Sequence, residues 1–314
     1  MRSTPITIAV LLTVLAVGAC STTPATPASP SPASPSSAGT GRSGDRGAGG
    51  RLEPVSKVLV VVEENHSYEE MRGEMPYLAR LSDQYGYATH WRAITHPSEP
   101  NYLAIAGGST FGIADDDPPS SHHGQIGSAR SVFDQALAAG RTAGVYAEGM
   151  PEPCHPVDYP SQAPLYAVRH NPWVYFEAGR AGCRAHDLAL SAFAGDVAAD
   201  RLPDVCFLIP DLEHDGHSAS LAAADTWLKG RLEPVLRSDD FASGRLLVVV
   251  TADEDDGHSG NIVLTSVLDR RLSGVVVDTP LNHYSLTRYI DEVLGVAPLR
   301  AAAGAPDMKA AFGL

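Results

Sequence analysis

The chain has 314 residues, 44% of them hydrophobic, and its 37 acidic against 23 basic residues leave a formal net charge of −14. No basic stripe runs through it, which excludes a nucleic-acid binder whose affinity would rest on Lys and Arg against phosphates. An acidic balance is compatible with a carboxylate-rich metal site, although solvated surface accounts for most of it.

Met1-Arg2 supplies a small positive start, and Ile6 to Val17 is apolar. That run of about a dozen residues is too short for a permanent membrane span and right for a signal-peptide core. It ends in Val17-Gly18-Ala19-Cys20, which resembles the bacterial lipobox. Residues 1–20 are therefore expected to be a lipoprotein signal peptide with Cys20 lipidated, an ordinary secretory signal being the alternative. From 21 to 51, Pro, Ser, Ala, Thr and Gly dominate. Such a segment cannot bury enough surface to offset its ordering entropy, so a disordered tether reaching about 30 Å is expected. The expectation is an exported chain, held at a cell surface or membrane or released from it, with 52–314 as one large domain.

Three Cys follow Cys20: Cys154, Cys183 and Cys206. Export means an oxidising compartment, and an odd number leaves one unpaired. Cys206 lies inside the apolar run Val205–Ile209 while the other two lie in Pro-rich and Gly-flanked loops. A Cys154–Cys183 disulfide with Cys206 as a buried thiol is expected, and no spacing matches a zinc site.

Val58–Val62, Val205–Ile209 and Leu246–Val250 are unbroken apolar runs, as in strands of a parallel sheet covered on both faces. Weaker strands are predicted at Ala143–Ala147, Ile262–Thr265 and Gly274–Val277. Helices are predicted at Pro76–Tyr85, Val132–Ala139, Ala219–Leu236 and Ser285–Leu294. The alternation predicts an α/β fold with a central, mostly parallel sheet sandwiched by helices.

Each strong strand runs into polar residues. The first meets Glu63-Glu64-Asn65-His66, the second Pro210-Asp211 with His214, Asp215 and His217, the third Asp253-Glu254-Asp255-Asp256. Ligands of open α/β sheets bind outside the carboxyl ends of the strands, so the three ends predict a common site. Glu64, Asn65, Asp253 and Glu254 offer oxygen ligands for a hard cation; solvated acidic turns are the bland alternative. Asp211 and His217 could bind a second metal or contact a substrate oxyanion. Ser98, in His96-Pro97-Ser98-Glu99-Pro100-Asn101-Tyr102, precedes an apolar helical stretch that Gly107-Gly108 stops. It either caps that helix or serves as a nucleophile where the helix N-terminus favours a phosphoryl group. Asp115-Asp116-Asp117 and His122-His123 form either a second metal-binding patch or a solvated loop.

Four motifs in order carry a family resemblance: Glu64-Asn65-His66-Ser67-Tyr68, the Ser98 segment, Arg169-His170-Asn171-Pro172 and Asp253-Glu254-Asp255-Asp256-Gly257. Together they resemble the bacterial phosphoesterase family of secreted acid phosphatases and phospholipase-C-like enzymes, of the alkaline phosphatase superfamily. The resemblance implies an alkaline-phosphatase-like fold and a divalent metal (Mg, Ca, Mn, Zn or Fe) held by Glu64, Asn65, Ser98, Asp253 and Glu254. Glu254 departs from the second Asp frequent in the family. Ser98 is implied as nucleophile through a phosphoserine, and His170 and His217 as stabilisers of the phosphoryl oxygens or proton donors. Asp211 matches the same phosphate-facing segment as His217. His283 is implied near the substrate, with a helix-capping or surface role as its alternative. If His170 and His217 act protonated, activity is expected to peak on the acid side of neutrality. The leading expectation is a phosphomonoesterase acting on phosphate esters, phospholipids or phosphoinositides among them, at a membrane reached through Cys20. The rivals are a phospholipase-C-type phosphodiesterase and a catalytically silent lipoprotein that binds a phosphorylated ligand.

Overall fold

Val58 to Val62 have no exposed surface at consecutive positions, and the same is true of Leu246 to Val250. Successive strand side chains point to opposite faces, so both faces of these strands are covered, as continuous apolar runs demand. The computed structural model describes residues 51–163 and 165–314, and these form one compact unit. The expectations for residues 1–50, lipidation of Cys20 included, lie outside the described residues. No helix among the described residues is long and apolar enough to cross a membrane.

The strands are β1 (Lys57–Glu63), β2 (Gly86–Arg92), β3 (Ala143–Ala147), β4 (Asp187–Ala189), β5 (Val205–Ile209), β6 (Leu246–Ala252), β7 (Ile262–Leu268), β8 (Val275–Val277) and β9 (Leu281–Asn282). They form one sheet in the order β4-β3-β5-β1-β6-β7-β2-β8, with β9 paired to β2. Only β7 runs antiparallel, to both β6 and β2. The parallel strands at the centre are β5, β1 and β6, the three whose runs were longest in the sequence. β2, Gly-Tyr-Ala-Thr-His-Trp-Arg, was not anticipated: its Thr89, His90 and Arg92 break any apolar run, and only Gly86, Ala88 and Trp91 turn inward.

Helices pack against one another in pairs over this sheet. Met75, the cap of helix Pro76–Gln84, offers no side-chain bond. Instead Asp225, from helix Leu221–Arg237, accepts from the Tyr77 and Leu78 N–H groups at 2.8 and 2.9 Å, satisfying donors that a helix start leaves free. Helix His283–Leu294 meets helix Ser98–Gly107 through the Thr287 hydroxyl, which donates to the Ala104 and Ile105 carbonyls at 2.8 and 2.9 Å. The second helix ends at Gly108, at φ 65°, where an added Cβ would strike the Leu299 carbonyl.

A disulfide joins Cys154 to Cys183, Cα atoms 5.4 Å apart, and Cys206 is a buried free thiol. Cys183 lies in helix Arg180–His186 rather than a loop. Asp187, buried beside that helix, accepts from Asn171 Nδ2 at 2.8 Å, yet its other oxygen has no partner. Burial pushes its carboxyl up to about 8, more than Asn171 and the Cys154 backbone can offset. The folded state therefore keeps a proton that the unfolded chain releases near pH 4, so this contribution is full below that point and is lost as pH rises through about 8. The melting temperature of Asp187→Asn, minus that of the wild type, should climb steadily from about pH 4 to about pH 8. A constant difference would contradict the burial of an acid at this position.

Candidate active site

Register brings the first two site residues together. Glu63 pairs with Ala252 across β1 and β6, so Glu64 and Asp253 leave the sheet side by side. Asn65 adopts a left-handed φ of 53°, which Asn tolerates better than most residues. Its N–H then donates to Asp253 Oδ1 at 3.2 Å, and Glu254 N–H donates to the same oxygen at 2.7 Å. Asp253 Oδ2 is buried without a partner.

Ser98 is the first residue of its helix; the cap position is Pro97, and no side chain caps this end. The capping role open to Ser98 in the sequence is thus not the one it takes. Its hydroxyl donates to Glu64 Oε1. Asn101 fixes the approach: its Oδ1 accepts from Ile94 and Thr95 N–H at 2.9 and 3.1 Å. Its Nδ2 donates to the Thr95 carbonyl at 2.9 Å and to Glu254 Oε2 at 3.2 Å. The helix start offers fewer free N–H groups than expected, because Glu99 N–H donates to Asp116 Oδ1 at 2.9 Å and Pro100 has none.

His170 is buried between two carboxylates. Nε2 lies 2.9 Å from Glu64 Oε2 and Nδ1 lies 3.2 Å from Asp215 Oδ2, and its ring stacks on Tyr102 at 4.9 Å. Both nitrogens are engaged, so His170 reaches the site through Glu64 and not by direct contact with a phosphoryl group. His283 lies behind the site. Its Nε2–H donates to the Asp253 carbonyl at 2.6 Å and its Nδ1 accepts from Trp91 Nε1 at 3.2 Å. With no exposed surface, it positions Asp253 and leaves substrate untouched. Asp211 pairs instead with His214 at 2.9 Å, beside Glu148. His217 is exposed, its ring 3.0 Å from the Ser218 hydroxyl. The second strand end, after β5, contributes Asp215, through its carboxylate on His170 and its carbonyl on Glu64 N–H at 2.8 Å.

Residues 71–297 match the family model described as the Phosphoesterase family. The chain belongs to the phosphoesterase family. It is similar to a phosphatidylinositol-3-phosphatase of Mycobacterium tuberculosis, 30% identical over 85% of this chain and 86% of that one. It is also similar to a probable acid phosphatase of Kluyveromyces lactis, 30% identical over 73% of this chain and 56% of the other. The chain thus spans most of the mycobacterial protein but little more than half of the yeast one. Among solved structures it resembles a Vibrio parahaemolyticus protein of the alkaline phosphatase superfamily, with a TM-score of 0.54 and 10% identity over 78% of this chain and 68% of that one. The fold is that of the superfamily, and the phosphoesterase is a hydrolase acting on phosphoric ester bonds.

Electrostatics of the phosphoesterase site follow from its geometry. Burial raises Glu64, but the charge and hydrogen bond of His170, with Arg169 and Ser98, outweigh it and hold the carboxyl at about 2. Burial likewise disfavours charge on His170, yet Glu64 and Asp215 raise it to about 10, so it stays an imidazolium across the neutral range. Protonation of His170 by itself therefore does not set the pH range of activity. Burial, then the charges of Glu64 and Glu254, push Asp253 well above the usual carboxylate range. Burial, Glu64 and Asp116 push Glu254 up to about 8. Three carboxylates crowded together, with an orphan oxygen on Asp253, are costly without a cation. A divalent ion with oxygen ligands fits this set.

Sequence reasoning missed several members. Asp215 stood in the right strand end but was passed over for its neighbours Asp211 and His217. Asn101 and Arg169 lay inside quoted motifs without a role. His96 lies 3.0 Å from Glu254 Oε2 and 3.3 Å from Asp255 Oδ1, and its place directly before Pro97-Ser98 was the available signal. In metal-stripped protein, the apparent affinity for Mn²⁺ should tighten as pH rises toward about 8, since binding must displace protons from Asp253 and Glu254. Asp253→Asn should raise the melting temperature of stripped protein and weaken the Mn²⁺-induced stabilisation, both measurable by calorimetry; a lower melting temperature would contradict carboxylate repulsion.

Proposed function

We propose that the phosphoesterase is a metal-dependent phosphomonoesterase with Ser98 as nucleophile, acting on phospholipids of the phosphoinositide class. The observation that carries this reading is the buried Ser98 hydroxyl donating to Glu64 beside the Asp253–Glu254 pair. Glu64, Asn65, Ser98, Asp253 and Glu254 would hold the metal, which when bound would supply Lewis-acid activation of the serine hydroxyl. Glu64, kept ionised by His170, accepts the hydrogen bond that orients this hydroxyl, and the hydroxyl proton passes to solvent water as Oγ attacks. Ser98 Oγ then forms a bond to phosphorus while the P–O bond to the leaving alcohol breaks, and water hydrolyses the phosphoserine in a second displacement. Arg169, whose guanidinium is favoured by the charges of Glu64 and Asp116 against the cost of burial, faces the phosphoryl oxygens. His96, half-exposed beside Glu254, gives the leaving alcohol its proton. Asp211 and His217 have no part in this scheme.

The lipid substrate is argued from similarity to the phosphatidylinositol-3-phosphatase. A lipid at Cys20 would keep the domain at such a surface. Ser98→Ala should lower turnover of phosphatidylinositol 3-phosphate and of a chromogenic monoester by about 1,000-fold or more. The Mn²⁺-induced rise in melting temperature should largely remain. Undiminished turnover in the variant would overturn the nucleophile, and preference for a diester would move the reading to a phosphodiesterase. Arg169→Ala should raise KM more than it lowers kcat; an unchanged KM would remove Arg169 from substrate binding.

A further inference from the structure

A second group of ligating side chains stands apart from the Glu64–Asp253–Glu254 set. Glu99 follows Ser98 but turns the other way, toward the loop 109–118 and helix Pro119–Ile126. Its carboxylate is fully buried beside the Tyr175 hydroxyl, and neither oxygen has a well-formed hydrogen bond. The Tyr175 hydroxyl in the same region donates to the Asp117 carbonyl at 3.2 Å. Glu99 Oε1 lies 3.6 Å from His122 Nε2, and Asp115 Oδ1 lies 2.9 Å from the same nitrogen. The three ligand atoms all fall within 4.8 Å of one another.

The state of His122 decides what this cluster can hold. The residue is 3% exposed, and Nδ1 meets the Gln125 amide oxygen at 2.8 Å. An amide oxygen only accepts, so Nδ1 carries a proton. In the neutral ring the lone pair then sits on Nε2, aimed at two carboxylates. That arrangement calls for a cation or a proton between the nitrogen and the carboxylates, and it is the one in which a metal-binding imidazole is normally fixed, with the distal N–H held by an oxygen. Ligand atoms about 3–4 Å apart are what a cation with bonds of about 2.0–2.2 Å would span.

We infer that Glu99, Asp115 and His122 form a second metal site, for a divalent ion of the zinc class, distinct from the site at Ser98. A nitrogen with two carboxylates suits zinc or a similar transition ion better than calcium or magnesium. Its position gives it a use. Asp116, next to Asp115, accepts from Glu99 N–H at 2.9 Å and lies 3.9 Å from Arg169 Nε. An ion here pins the loop 109–118 to the start of the Ser98 helix and thereby fixes Asp116 against Arg169.

The test is calorimetric titration of the metal-stripped full chain with ZnCl₂, which needs no activity. The wild type and Asp253→Asn should share a zinc equivalent that His122→Ala and Asp115→Ala both lack. Asp115 is exposed, so its variant tests the site without disturbing the core, and a circular dichroism spectrum checks that His122→Ala is folded. Gln125→Ala should keep the equivalent but bind it about 10- to 100-fold more weakly. Wild-type zinc binding in both His122→Ala and Asp115→Ala would overturn the inference and leave a simple His122–Asp115 ion pair. If zinc is lost only in Asp253→Asn, the inference fails while the metal reading at Ser98 stands. If zinc is lost only in the His122 and Asp115 variants, the inference stands, and Mn²⁺ titration of Asp253→Asn decides the metal reading at Ser98 separately.

Discussion

Mutual repulsion among Glu64, Asp253 and Glu254 is the constraint around which the rest of this phosphoesterase is arranged. Parallel pairing of β1 with β6 forces the first two into contact, because Glu63 and Ala252 are partners in register. Like charges in a water-poor setting are costly unless neutralised. The chain answers partly with protons, on Asp253 and Glu254, and partly with the His170 imidazolium against Glu64. What remains uncompensated is a set of oxygens suited to a cation. The energy stored in crowding the carboxylates is thus the counterpart of affinity for the ion.

The surroundings serve to keep those carboxylates from swinging away. Two N–H groups hold Asp253 Oδ1, and His283 holds its carbonyl from behind, with Trp91 fixing the ring. Tyr102 supports His170 by stacking, and Asp215 takes its second nitrogen. Asn101 ties the loop before Ser98 to Glu254. Tyr102, Asp215, Asn101, His283 and Trp91 thus act on the carboxylates and on His170 through their hydrogen bonds and packing. This is the usual requirement of a site that must hold its geometry to within a fraction of an ångström.

Much of this was legible in the sequence. The unbroken runs at Val58–Val62, Val205–Ile209 and Leu246–Val250 announce central parallel strands, because a strand buried on both faces has no room for alternation. Their polar ends place Glu64, Asp253 and Glu254 at one edge. The motif around Ser98 was conspicuous, but its role stayed open because a Ser before a helical run is also the commonest cap. Pro97 occupying the cap position, and the hydroxyl turning to Glu64, are facts of geometry that no local pattern encodes.

Sequence alone determined the α/β class, the edge of the sheet where chemistry gathers, and most of the carboxylates that meet there, since these follow from hydrophobic period and from what directly succeeds each strand. Only the tertiary structure decided the fate of the histidines. His170, His217 and His283 look alike in the sequence as lone imidazoles among polar residues. One is an imidazolium clamped by Glu64 and Asp215, one is exposed, and one is a neutral ring holding a backbone carbonyl. An imidazole's role depends on which atoms meet its two nitrogens and how deeply it is buried, and those partners come from segments far apart in the chain, as do the Glu99, Asp115 and His122 atoms that meet on the other side of the Ser98 helix.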